Sequence, residues 1–142
     1  MRAANIGALV QQTLRYRRGF SNNNNLTPVA LCWDLETTGL HHTSEIVQIA
    51  VVDALSINDP QPRHFVRYVM PTGPIDWRAE QAHSISIKML ERENAKKFGH
   101  VLGELFTWLR DSFQERPLVW AAHNGVLLNW ASLPPTPAIV FL

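Results

Sequence analysis

Apolar residues fall into short runs separated by polar and proline-rich stretches, and the spacing within each run predicts an element. Val29 to Asp34 is apolar at almost every position before the aspartate, which predicts a central strand covered on both faces. Glu45 to Ala54 predicts a second strand, reached through His41-His42-Thr43-Ser44. Arg63 to Met70 sets Phe65, Arg67 and Val69 against His64, Val66 and Tyr68, the alternation of a third strand. Asp59-Pro60-Gln61-Pro62 before it and Pro71-Thr72-Gly73-Pro74 after it are turn signals. Strands joined by such short connections predict an antiparallel meander. Ile87 to Ala95 predicts a short helix. Gly99 to Phe113 predicts the clearest one, with Leu102, Leu105, Phe106, Leu109 and Phe113 at helical steps and Trp108 widening the stripe. That helix faces a core and needs no cofactor to explain it. Pro117 to Ala122 predicts a fourth strand, which a strand–helix–strand crossover would make parallel to a neighbour. The fold class is α/β: a mixed sheet with an antiparallel meander, one parallel strand and helices.

The polar residues that break this pattern most sharply are Asp34 and Glu36, in Trp-Asp-Leu-Glu-Thr-Thr-Gly-Leu at the end of the first strand. Alternate residues of a strand share a face, so both carboxylates point the same way. Like charges held together are costly unless a cation lies between them. Hard divalent ions such as Mg²⁺ prefer carboxylate oxygens. The bland reading makes Asp34 a turn cap and Glu36 a solvated charge. The strand context and the following Thr37-Thr38-Gly39, with its hydroxyls and amides, favour the metal site.

Charge narrows the function classes. The net charge of +1 hides an asymmetry: Arg2, Arg15, Arg17 and Arg18 occupy the first 33 residues without an acid, and the remainder carries nine basic against twelve acidic residues. The expected folded part is thus no basic nucleic-acid clamp, and bulk electrostatics do not argue for DNA or RNA. The single cysteine, Cys32, excludes an intrachain disulfide and a cysteine-rich zinc site, and its place in a strand makes it a buried apolar residue. His41-His42 has no further ligand near it in sequence and reads as solvated. No apolar run approaches the roughly 18 residues a membrane helix needs, so no membrane partner is expected. Residues 1–21, rich in arginine and with Ile6, Leu9, Val10 and Leu14 near helical spacing, have the composition of an organellar transit peptide, and Arg18-Gly19-Phe20-Ser21 is similar to a mitochondrial processing site. Mitochondrial, or else plastid, import is expected, against the alternative of a basic tail on a cytoplasmic or nuclear protein. Asn22 to Asn25 is a polar linker.

Asp-Leu-Glu-Thr-Thr-Gly resembles the first motif of the DEDD superfamily of 3′–5′ exonucleases, the DnaQ-like group with an RNase H-like fold. The resemblance continues through Glu45 to Val52, through Ala82-His83-Ser84-Ile85-Ser86, which is similar to a His-Gly-Ile-(Thr/Ser) segment, and through Pro117 to Gly125 with its His123-Asn124. It implies an RNase H-like exonuclease fold, here incomplete, and two divalent ions, Mg²⁺ or Mn²⁺. Asp34 and Glu36 become the catalytic metal ligands, with Asp34 bridging both ions. Thr37, Thr38, Leu40 and His83 become contacts to the terminal nucleotide of a DNA or RNA 3′ end. For His83 the plainer alternative is a polar residue bonded to backbone.

The pattern then departs from the family. Leu127-Leu128 stand where the resemblance expects Phe-Asp, the third metal ligand, and no acid follows Glu115. A third motif has no counterpart, and residues 117–142 carry no charge. The expectation is a truncated chain, or a tail from a misread exon or shifted reading frame. Its rivals are a non-catalytic nucleic-acid-binding module of the same fold and an unrelated α/β domain. The expected organisation is a basic segment and linker over 1–28, a partial exonuclease domain over 29–126 and an apolar, proline-rich tail over 127–142.

Overall fold

A computed structural model describes residues 28–114 and 116–122, and the backbone of 138–141. The described elements run β1 (Val29–Thr37), β2 (Ile46–Asp53), β3 (His64–Tyr68), α1 (Trp77–His83), α2 (Ile87–Arg92), α3 (Phe98–Phe113), β4 (Leu118–Ala122) and β5 (Ala138–Phe141). The sheet order is β3-β2-β1-β4-β5. β1 and β2 are antiparallel: Thr38 N–H bonds Glu45 O at one end and Ala54 N–H bonds Ala30 O at the other. β2 and β3 are antiparallel on the same evidence, Asp53 N–H to Arg63 O and Val69 N–H to Val47 O. β4 runs parallel to β1, with Val29 opposite Leu118 and Trp33 opposite Ala122. The α/β fold with a meander and a parallel strand is therefore as expected. β5 adds a second parallel neighbour to β4, in a tail to which the sequence pattern assigned no strand.

Backbone packing divides the chain into two compact units. Among the described residues, the first comprises 28–33, 51–64, 113–114, 116–122 and 138–141. Its buried centre is Ala30, Cys32, Ala54 and Ala121, with Val52 packed against them. Burial pushes the Cys32 thiol up to about 11, with the Asp53 charge adding to the effect, so the thiol is inert at neutral pH. Asp53 is itself buried. Its carboxylate accepts from Arg63 at 2.5 Å and from Leu55 N–H at 3.0 Å, which supplies the partners a buried charge requires.

The second unit comprises residues 34–50 and 65–112. Val47, Ile85 and Leu90 form its buried centre, with Tyr68, Met70, Ile75, Ile87, Met89 and Ala95 packed around them. α2 begins on Ser86, whose hydroxyl accepts Met89 N–H at 3.2 Å. On α3 the buried positions are Val101, Leu105, Leu109 and Phe113, while Phe106 is half exposed. Val101, Leu105, Leu109 and Phe113 recur every four residues and so share one face, whereas Phe106 lies one step round the helix from Leu105. α1 was not expected from the sequence, and none of its residues is buried.

α1 closes in a way that explains one motif residue. Ser84, the position after α1, takes φ 63° and ψ 21°, and its N–H returns to Glu80 O at 2.7 Å. This left-handed cap favours glycine, the residue the His-Gly-Ile pattern carries there. Ser84→Gly removes the steric cost of a Cβ and loosens the unfolded chain, two opposing effects of similar size. The expected net outcome is a gain of about 0.5 kcal/mol in urea unfolding, whereas Ser84→Val, β-branched at positive φ, should lose 1 kcal/mol or more, on the order of the left-handed penalty.

Candidate active site

β1 is buried from Val29 to Cys32 and becomes partly exposed from Trp33 onward. The change of environment puts Asp34 and Glu36 at the end of the strand, on one face, both half-buried. Burial raises the Glu36 carboxyl above its ordinary range, the Asp34 charge raises it further, and His83 opposes them. A pair of carboxylates whose joint ionisation is disfavoured is matched to a hard divalent cation. Asp34 and Glu36 are the residues present that fit one. Among the described residues, no group of three or more His, Cys, Asp or Glu side chains gathers as a metal site.

The chain leaving β1 is fastened on several sides. Thr38 donates its N–H to Glu45 O at 2.8 Å, accepts Glu45 N–H on its hydroxyl at 2.9 Å and accepts Asp76 N–H on its carbonyl at 2.8 Å. Thr37 donates its hydroxyl to Gly39 O at 2.7 Å. The two hydroxyls therefore differ: that of Thr37 has committed its proton, and that of Thr38 accepts and keeps a proton to donate. Gly39 is buried, and a Cβ there would lie 3.3 Å from Ser44 Oγ and 3.6 Å from Asp76 Cβ, so a side chain would press on the Ser44 hydroxyl. Leu40, next in the chain, is almost fully exposed.

Glu45 is a supporting residue that sequence reasoning did not single out. Its carboxylate accepts Thr72 N–H at 2.8 Å, the Thr72 hydroxyl at 2.9 Å and Gly73 N–H at 2.9 Å. Those bonds, chiefly the two backbone amides, hold its carboxyl below the ordinary range. Asp76, the N-cap of α1, was missed as well. Neither has a signal beyond its position beside a strand or helix start. His83, the last residue of α1, is brought to the end of β1, with Nε2 3.1 Å from Thr37 O and Nδ1 3.0 Å from Ile85 N. Asp34, Glu36, Thr37, Thr38, Leu40 and His83 thus belong to one unit. His41 and His42 are exposed. His123, Asn124, Leu127 and Leu128 lie outside the described residues.

Solved nuclease structures share this fold. The chain is similar to cell-death related nuclease 4, with a TM-score of 0.53 and 20% identity over 66% of this chain and 34% of that one. It is similar to the nuclease domain of 3′hExo, a DEDDh family member bound to rAMP, with a TM-score of 0.55 and 16% identity over 71% of this chain and 54% of that one. It is also similar to a structure of SSB/Exonuclease I with the inhibitor CFAM, with a TM-score of 0.55 and 16% identity over 70% of this chain and 22% of that one. The chain spans 54% or less of the length of each of these three. Comparison with curated protein sequences found no match. Residues 31–127, more than half of the 142, match the RNase_T exonuclease family model, and the chain belongs to that family.

Proposed function

We propose that this chain carries the first-motif half of a 3′–5′ exonuclease site acting on DNA or RNA 3′ ends with Mg²⁺ or Mn²⁺. The observation that carries this is the Asp34–Glu36 pair on one half-buried face at the end of β1, with the Glu36 carboxyl raised by burial and by its neighbour. A pair of divalent ions, when bound, lowers the pKa of the attacking water and stabilises the leaving oxygen. Asp34 and Glu36 would hold them. Thr38 directs its remaining hydroxyl proton at a phosphate oxygen. Leu40 packs against the terminal nucleotide, and Thr37 contacts it through backbone, an arrangement that reads an end and carries no base information.

Leu128 stands where the family resemblance expects the third acidic ligand, and a leucine coordinates nothing. Losing one well-placed stabilising group costs about 10²–10³-fold in rate. This chain is therefore expected to trim end-labelled single strands slowly or not at all with Mg²⁺ or Mn²⁺. Robust 3′ trimming that vanishes in Asp34→Ala would mean that an acid outside these motifs completes the site. Binding of single strands without cleavage, insensitive to Mg²⁺ and unchanged in Asp34→Ala, would favour the non-catalytic module, which the Leu128 substitution supports.

The pair itself is testable without turnover. A raised Glu36 pKa means that protons compete with a cation up to a higher pH than at an ordinary glutamate, so Mg²⁺ affinity should rise as pH climbs through that pKa. Asp34→Asn removes the neighbouring charge and leaves the burial. In carboxyl-detected NMR, Glu36 should then titrate at lower pH than in the parent, and saturating Mg²⁺ should lower the parent's own titration. A Glu36 titration indifferent to both changes would sink the cation site.

Residues 1–21 are proposed to direct mitochondrial import on their four arginines without an acid. Residues 1–30 fused to a fluorescent protein should give a mitochondrial pattern; plastid or diffuse cytosolic signal would remove the assignment.

A further inference from the structure

Both ring nitrogens of His83 are engaged within the chain. Nδ1 lies 3.0 Å from the N–H of Ile85, a group that can only donate, so Nδ1 is the bare acceptor. The proton therefore sits on Nε2, which donates to the Thr37 carbonyl 3.1 Å away. The two bonds demand the same neutral tautomer. One end of this bridge is fixed: Ile85 is buried in the core with Val47 and Leu90, and Ser84 before it is held in its left-handed cap. The other end is the last residue of β1, adjacent to Glu36.

That end of β1 is held on one edge by β2, through Thr38 N–H to Glu45 O at 2.8 Å, and its described pairing with β4 runs from Val29 to Trp33. Thr37 O takes its hydrogen bond from an imidazole brought 46 positions along the chain. We propose that His83 is a positioning residue, a single-tautomer strut that holds the end of β1 so that the Asp34 and Glu36 carboxylates stay aligned for a cation. It reaches substrate through neither ring nitrogen, because both are occupied. The consequence for the cation rests on the reading of Asp34 and Glu36 given above; the strut itself rests on the hydrogen bonds alone.

Side-chain geometry supplies the test. The Gln side-chain nitrogen stands as many bonds from Cβ as His Nε2, and the Asn side-chain oxygen as many as His Nδ1. His83→Gln should keep the donor to Thr37, and His83→Asn only the acceptor for Ile85. In the full ¹⁵N-labelled chain, with the ring neutral, His83 should show the Nε2–H tautomer. His83→Ala should speed hydrogen exchange at the Glu36, Thr37 and Thr38 amides by about tenfold, the scale of one lost hydrogen bond. It should weaken Mn²⁺ binding, read by the EPR signal of free Mn²⁺, by about tenfold or more, as loss of an orienting partner does. His83→Gln should restore both, and His83→Asn should protect Ile85 again and restore neither. An Nδ1–H tautomer would overturn the proposal, as would a folded His83→Ala chain with unchanged amides, or rescue by Asn and not by Gln. If the parent chain binds no Mn²⁺, the cation reading fails, and the amide comparison among the three variants still decides the strut.

Discussion

The constraint on which the site depends is a like-charge pair forced together by strand geometry. β1 must be extended and apolar to fill the centre of the sheet, and an extended chain puts alternate residues on one face. Once Asp34 and Glu36 follow Val29–Cys32 in register, they share an environment whether or not their ionised forms favour it. The Glu36 carboxyl is raised there, by burial first and by the Asp34 charge next. Folds tolerate such conflicts chiefly where a ligand relieves them, which makes the conflict itself an argument for a cation.

The structure holds this arrangement still with hydrogen bonds of long sequence separation. Glu45 reaches 27 residues to Thr72, and His83 reaches 46 to Thr37. Asp76, the cap of α1, lends its own amide to Thr38. Each bond of this kind is worth only about 1 kcal/mol in net stability. Their effect lies in direction: they fix the chain from Thr37 to Gly39 by its backbone, so that Leu40 is presented to solvent while Gly39 is buried.

What could be read from the sequence was whatever burial imposes as a period. β1 to β4 and α3 have apolar runs or stripes, and each was recovered. α1 has no buried residue, so no periodicity marks it; it exists because Asp76 caps one end and Ser84 turns the other. In the α3 stripe Leu105, Leu109 and Phe113 are core as expected, whereas Phe106 is half exposed and the buried Val101 has no place in the expected set. β5 follows a proline-rich stretch that reads as irregular, and only pairing with β4 reveals it. The placement of Asp34 and Glu36 at the end of β1 was legible because their spacing is local. The distant partners of Thr37 and Thr38 were not, because nothing in a local window links Thr37 to His83 or Thr38 to Asp76.

Two carboxylates alone make a weak site for a small divalent ion. Mg²⁺ keeps several waters and loses them reluctantly, so one or two protein oxygens fix its position only if they themselves do not move. A site with four acidic ligands can tolerate a mobile strand end, because the ion cross-links it. A site that presents only the first-motif pair has no such cross-link, and its precision must come from the protein side. If Asp34 and Glu36 hold a cation as proposed, that precision comes from the Glu45 and Asp76 bonds to Thr38 and the His83 bond to Thr37. The supports around the motif would then carry more of the geometry than in a site where further acids complete the metal shell.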